Sequence, residues 1–298
     1  MSILLFGADG QVGFELHRSL SAQTKVIATS RSGRLPGSVE GIAIDFAQPG
    51  QAADLVRRLR PRWVVNAAAY TAVDQAEDEP ALAMRVNAEA VGEIAAACAD
   101  TDANLFHYST DYVFAGDDRR PRREDDAVGP LGVYGRSKLA GEEAIRASGC
   151  RHIVLRTAWV YAARGRNFLR TMLRLAGERE ELRVVDDQIG APTPARWLAD
   201  VSALILRAPG DACGTWHASA EGQCSWRDFA EAIMVDAQAA GVLARAPRVV
   251  GIASSEYPAK ALRPTWSCLD CSRLYADFSV APLCWRQGLR QVLGHLVG

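Results

Sequence analysis

The chain reads as an α/β protein: a Rossmann-type, doubly wound parallel sheet followed by a smaller C-terminal substrate-binding domain. Three observations predict this class. Short apolar runs alternate with stretches of helical spacing through the first half of the chain. A glycine-rich turn, Gly7-Ala8-Asp9-Gly10-Gln11-Val12-Gly13, follows the first apolar run directly. After about residue 160 the alternation loosens into helical stretches separated by turn-rich pieces that hold much of the proline.

Taken in order, strands are expected over 3–6, 26–29, 42–44, 63–66, 105–108 and 152–156, with helices over 11–20, 51–59, 81–99 and 134–147. Strands that alternate with helices imply a parallel sheet covered on both faces. Further helices are expected over 168–175, 197–206, 226–241 and 289–297. The expected division is 1–160 for the nucleotide-binding part and 161–298 mainly for the substrate part, with about 195–219 threading back onto the sheet. The charged stretch 117–126 reads as an exposed loop.

Bulk composition narrows the function classes. The 298 residues are 49% hydrophobic and 23% charged, ordinary for a globular enzyme. A net charge of −1 provides neither a basic field for nucleic acid nor a cationic face for a membrane. No stretch approaches a membrane span, and the opening apolar run breaks at Gly7 rather than extending into a secretion signal. The seven cysteines are scattered, and only Cys268 and Cys271 form a C-x-x-C, so reduced thiols without a zinc site are expected. Cys213 and His217 read better as strand packing than as metal ligands. These features suit a cytoplasmic protein.

The glycine turn carries the first chemistry. Gly7, Gly10 and Gly13 permit a tight bend and close backbone approach to a pyrophosphate at the start of the helix from Gln11. The spacing G-x-x-G-x-x-G resembles the extended short-chain dehydrogenase/reductases. Three further places fit that family. Asp45-Phe46 ends the third strand, where a carboxylate can accept from an adenine amino group. Asn66-Ala67-Ala68-Ala69-Tyr70-Thr71 ends the fourth, where small residues leave room for the cofactor, and Asn87 lies in the following helix. A dehydrogenase that insists on NADH carries an acid at the end of its second strand. Here Ser30-Arg31 stands there, with Arg34 just beyond. Arg31 can pair with a 2′-phosphate and Ser30 can donate to it, so NADPH is the preferred cofactor, with NADH still accepted.

Tyr134-Gly-Arg-Ser-Lys138 places a phenol and an ammonium one helical turn apart on one face. A carbonyl that receives hydride needs a proton on its oxygen. Tyr134 can supply it, with Lys138 as the cation that stabilises the phenolate and holds the nicotinamide ribose. Lysine is scarce, occurring only as Lys25, Lys138 and Lys260, so its presence here is not incidental. Thr110, just after the fifth strand, can orient the carbonyl.

Longer motifs narrow the resemblance. The segments starting at Asn66 (with Asp74 and Glu77), His107-Tyr-Ser-Thr-Asp-Tyr-Val-Phe114, Val133-Tyr-Gly-Arg-Ser-Lys-Leu-Ala-Gly-Glu142 and Arg156-Thr-Ala-Trp159 resemble the dTDP-4-dehydrorhamnose reductases. So do Val185-Asp-Asp-Gln-Ile-Gly-Ala-Pro-Thr193 and Arg263-Pro-Thr-Trp-Ser267. The resemblance implies reduction of dTDP-6-deoxy-4-keto-L-mannose to dTDP-L-rhamnose. It implies that Gly10, Gln11, Val12, Asp45, Phe46, Ala69, Tyr70, Thr71 and Tyr108 line the cofactor, and that Thr110, Asp111 and Trp159 touch the substrate. Some members of the family pair through a metal held by glutamates. Glu15 is present here, but Arg196 and His295 stand where other acids would be sought, so no metal is expected, and a homodimer or a monomer is open. Two rival functions remain at this stage. A dehydratase or epimerase of the same family would need a second acid after Asp111, where Tyr112 stands. A non-catalytic regulatory subunit would not need the intact Thr110, Tyr134 and Lys138.

Overall fold

The structure, a computed structural model, describes residues 2–37, 39–116, 118–208 and 210–297. Seven parallel strands form the central sheet: β1 (Ser2–Phe6), β2 (Lys25–Ser30), β3 (Ile42–Ala43), β4 (Trp63–Asn66), β5 (Asn104–Thr110), β6 (His152–Thr157) and β7 (Gly214–His217). Their spatial order is β7-β6-β5-β4-β1-β2-β3. The order reverses between β1 and β4, and it is outside the carboxyl ends of strands at such a reversal that open α/β sheets bind ligands. Ile3, Leu4, Leu5 and Phe6 are all fully buried, as expected of a strand covered on both faces.

The helices are α1 (Gln11–Ser21), α2 (Gln51–Leu59), α3 (Val73–Asp78), α4 (Pro80–Met84), α5 (Ala90–Thr101), α6 (Val133–Ala147), α7 (Phe168–Glu178), α8 (Ala195–Ile205), α9 (Trp226–Ala239), α10 (Ser272–Phe278) and α11 (Trp285–Val297). One core lies on the sheet face covered by α1 and α8 and a second on the face covered by α2, α5 and α6. A third, built around Leu169, Phe229, Ile233 and Leu289, belongs to the smaller C-terminal part. There Glu181–Val185 and Arg248–Ile252 pair in parallel. The chain returns to the main sheet twice. α8 packs on α1 and β7 extends the sheet beside β6, then α10 seals that edge through a Trp216–Asp277 hydrogen bond of 2.9 Å.

The single helix expected over 81–99 is divided. A π turn, Arg85–Glu89, separates α4 from α5 and turns Asn87 inward to 1% exposure. The stretch 118–126 is a largely exposed loop, as expected, anchored at one residue. Asp117 lies outside the described residues, but Arg122 is buried and its backbone bonds to Cys268 and Asp270 at 2.9 and 2.8 Å. Among the described residues no helix is long and apolar enough to cross a membrane.

Candidate active site

The glycine turn is shaped by contact. Gly7 adopts a φ of 75°, and a side chain there would meet the Ala68 backbone at 2.7 Å. A methyl on Gly13 would lie 2.0 Å from the Gly7 carbonyl oxygen, so the helix can seat against the turn only without one. Gly10 caps α1 with no side-chain hydrogen bond, and no acid stands in the first turn. Free N–H groups at the positive end of a helix with no competing carboxylate fit a pyrophosphate. Val12 packs against the adjoining core. The Gln11 amide oxygen accepts from Asn167 at 2.7 Å, which joins this turn to the cap of α7.

The other residues expected to line the cofactor stand at or near the carboxyl ends of β2, β3, β4 and β5. Asp45 forms a tight turn by accepting from the Ala47 N–H at 3.0 Å, and Phe46 packs edge-on against Phe6 in the core. The Ser30 hydroxyl donates to the Arg34 carbonyl at 2.9 Å. Its proton therefore closes the turn and is not offered to a phosphate; the exposed Arg31 is left for that task. Ala68 N–H donates to Asn66 Oδ1, and Asn87 clamps Tyr70, accepting from its N–H at 2.8 Å and donating to its carbonyl at 3.0 Å. Tyr70 donates its hydroxyl to Glu79, while Ala69 is partly exposed and Thr71 exposed beside it. The Tyr108 side chain turns away, toward Ser202 of α8, so this residue meets the site through its carbonyl.

Across the sheet, Asn66 pairs in register with His107, and Thr110 with Thr157. β5 ends at Thr110, directly beside the first turn of α6. That helix has no cap from its own chain neighbours. Instead Glu77 of α3 accepts the Val133 N–H at 2.8 Å, one residue before Tyr134. Lys138 is 2% exposed, donates to the Tyr108 carbonyl at 2.7 Å and lies 3.2 Å from His107 Nε2. Burial pushes its ammonium down to about 8, opposed by the Glu142 carboxylate. The same burial, with Lys138 alongside, holds His107 neutral.

Tyr134 and Tyr112 meet edge to face at 5.8 Å, and Tyr134 reaches the Thr110 hydroxyl. Burial pushes the Tyr134 phenol up to about 12, opposed by Thr110. The expected lowering by Lys138 is absent because the ammonium faces Tyr108 and His107. Asp111 is buried beside Thr110, whose hydroxyl donates to Asp111 Oδ1 at 3.0 Å. Trp159 has a φ of 48° and stacks on Trp226 with ring centroids 3.4 Å apart. One of its faces is thus covered by protein, and the Gly190 backbone also packs against the indole, where a side chain would meet Cε2 at 2.3 Å.

Sequence reasoning passed over the structural roles of Glu77 and Asp74. Asp74 binds the Arg263 guanidinium at 3.1 and 2.7 Å and both the Lys260 and Ala261 N–H groups, so it ties residues 260–263 to the rim of the site. Both acids lie in a motif read only for its resemblance, and no local pattern says that a carboxylate will cap a helix more than fifty residues away. Glu15 pairs with Arg18, and Arg196 with His295.

The RmlD substrate binding domain family matches residues 1–297. A dTDP-4-dehydrorhamnose reductase of Salmonella typhimurium is 43% identical over 296 residues, covering 98% of this chain and 97% of its own length. One from Burkholderia thailandensis is 45% identical over 297 residues, covering 96% of each. Among solved structures, the dTDP-4-dehydrorhamnose reductase of Clostridium acetobutylicum superposes with a TM-score of 0.90 at 33% identity over 99% of both chains. That of Bacillus anthracis, solved in complex with NADP, gives 0.89 at 32% over 99% of both. With a family match over nearly the whole chain, relatives above 40% identical over nearly their full length and solved structures that superpose over 99% of both chains, this chain belongs to the RmlD family of dTDP-4-dehydrorhamnose reductases.

Proposed function

We propose that the chain reduces the 4-keto group of dTDP-4-dehydro-6-deoxy-L-mannose, giving dTDP-L-rhamnose, with NADPH as the preferred reductant and Tyr134 as the proton donor. The observation that carries this reading is the convergence of Thr110, Tyr134 and Lys138 at the carboxyl ends of β5 and β6, next to a turn fitted for a pyrophosphate.

Bound at that turn, NADPH supplies the hydride. The rest falls to the chain. Thr110 offers a hydroxyl to the substrate carbonyl and holds it against Tyr134. Tyr134, kept protonated by its surroundings, gives its phenolic proton to the oxygen as negative charge develops there. Lys138, one helical turn from Tyr134 and held on the Tyr108 carbonyl, is the cation available to the nicotinamide ribose and, on leaving that carbonyl, to the phenolate left behind. Arg31 favours the 2′-phosphate of NADPH. Trp159 lies on the substrate side, an indole matching the apolar face of a deoxy sugar. The relatives named above as reductases support this assignment over dehydration, as does Tyr112 in place of a second acid.

Purified protein should oxidise NADPH only when the 4-keto sugar nucleotide is present, and the product should gain two hydrogens by mass spectrometry. A product lighter by one water would move the chain to the dehydratase reading. Cofactor binding without turnover would make it a regulatory subunit.

A further inference from the structure

Thr110 has one proton and two places to send it. Its oxygen accepts from the Tyr112 N–H at 3.2 Å, and its hydroxyl donates to Asp111 Oδ1 at 3.0 Å. A threonine hydroxyl bound to a carboxylate cannot also donate to a substrate oxygen. The other carboxyl oxygen, Asp111 Oδ2, is buried and has no hydrogen-bond partner, an expensive arrangement for a charged group. Asp111 as a whole is 3% exposed.

We propose that Asp111 is a positioning residue that acts through Thr110: as a neutral carboxyl it donates to the Thr110 oxygen and frees the threonine proton for the substrate, and as a carboxylate it captures that proton. The proposal rests on the reductase reading above. Atom accounting supports it. With Asp111 protonated, Thr110 accepts from the Asp111 hydroxyl and from Tyr112 N–H, filling both lone pairs, and its own hydrogen turns toward Tyr134 and the carbonyl. With Asp111 ionised, that hydrogen is held away from the reacting oxygen. The surroundings favour the neutral form. Burial pushes the Asp111 carboxyl up to about 7, opposed by the nearby Ser267 hydroxyl and by the Thr110 hydrogen bond. The titratable groups around it are Tyr112, Tyr134 and Cys268, and the one cation in this set is Arg263, which faces Tyr112 rather than the carboxyl. The active form is therefore the protonated one, present below neutrality and lost as the pH rises through it.

Infrared difference spectra of the free protein, wild type minus Asp111→Asn, test the proton directly and need no substrate. They should show a carboxylic-acid carbonyl band that disappears as the pH is raised through neutrality. Absence of that band overturns the proposal whatever the substrate proves to be. In turnover, Asp111→Asn presents an amide N–H to Thr110 at every pH. Its kcat/KM should stay high where that of the wild type falls, by up to about a hundredfold, the scale of losing one donor to a developing oxyanion. An unshifted alkaline edge, or a folded variant inactive at all pH values, overturns it. Thr110→Val gives an independent reading: with no hydroxyl to gate, its residual activity should lack the edge near neutrality, and persistence of that edge also overturns the proposal.

Discussion

Glu142→Gln should cost both stability and catalysis, for reasons visible in one contact. Glu142 of α6 is fully buried and Arg156 of β6 is 3% exposed. They meet through two charge-assisted hydrogen bonds, Nε to Oε1 at 2.9 Å and the terminal nitrogen to Oε2 at 2.7 Å. Burial pushes the Glu142 carboxyl up, but Arg156 outweighs it and holds the group ionised. An amide keeps one acceptor and leaves the guanidinium without its counter-charge, next to the Phe114 ring at 5.1 Å. Removing one partner of a buried pair costs ~3–5 kcal/mol, and the surviving acceptor places Gln at the lower end. Urea unfolding measures this. The second effect follows from Lys138, which burial pushes down to about 8 while Glu142 pulls it up. Without the carboxylate the ammonium loses its proton at lower pH, so in the Asp111→Asn background, where the Asp111 edge is absent, the remaining alkaline edge of kcat/KM moves toward acid. A stability loss under ~1 kcal/mol, the scale of an exposed pair, or an edge that does not move, would refute the reasoning.

Three further perturbations follow. Tyr134→Phe should lower turnover by on the order of a hundredfold or more while NADPH still binds, as read from cofactor fluorescence; unchanged turnover would remove Tyr134 as the acid. Gly13→Ala should abolish tight NADPH binding, because the added methyl meets the Gly7 carbonyl oxygen at 2.0 Å and no flexible side chain can yield; a Kd like that of wild type would show the turn to be pliable. Arg31→Ala should reduce the NADPH-over-NADH ratio of kcat/KM by roughly tenfold to a hundredfold, the worth of one charge-assisted contact. An unaltered ratio would take Arg31 out of the cofactor site, since Ser30 already spends its proton on Arg34.

Catalysis and assembly of the site draw on different ranges of the chain. The acid and its cation lie four residues apart on one helix, so Tyr134 and Lys138 were legible from spacing. Their supports were not. Glu77 reaches the start of α6 from α3, Asn87 joins Tyr70 to Ser137 at 3.0 Å, and Asp74 binds the 260–263 segment from the far end of the chain. Helical periodicity marked 81–99 as one element, because helical spacing runs on either side of the π turn and nothing local marks the turn that buries Asn87.

The sequence by itself determined the alternation of strand and helix, the glycine turn and the Tyr134–Lys138 pair, because each is set by periodicity or by bonds between near neighbours. The tertiary structure alone decided which way those groups face. It turned the Tyr108 ring into the core and its carbonyl onto Lys138, stacked Trp159 on Trp226, and buried the Asp111 carboxyl against the Thr110 hydroxyl. Burial and hydrogen-bond partners arise from residues far apart in the chain, and they set the proton affinities on which this chemistry depends.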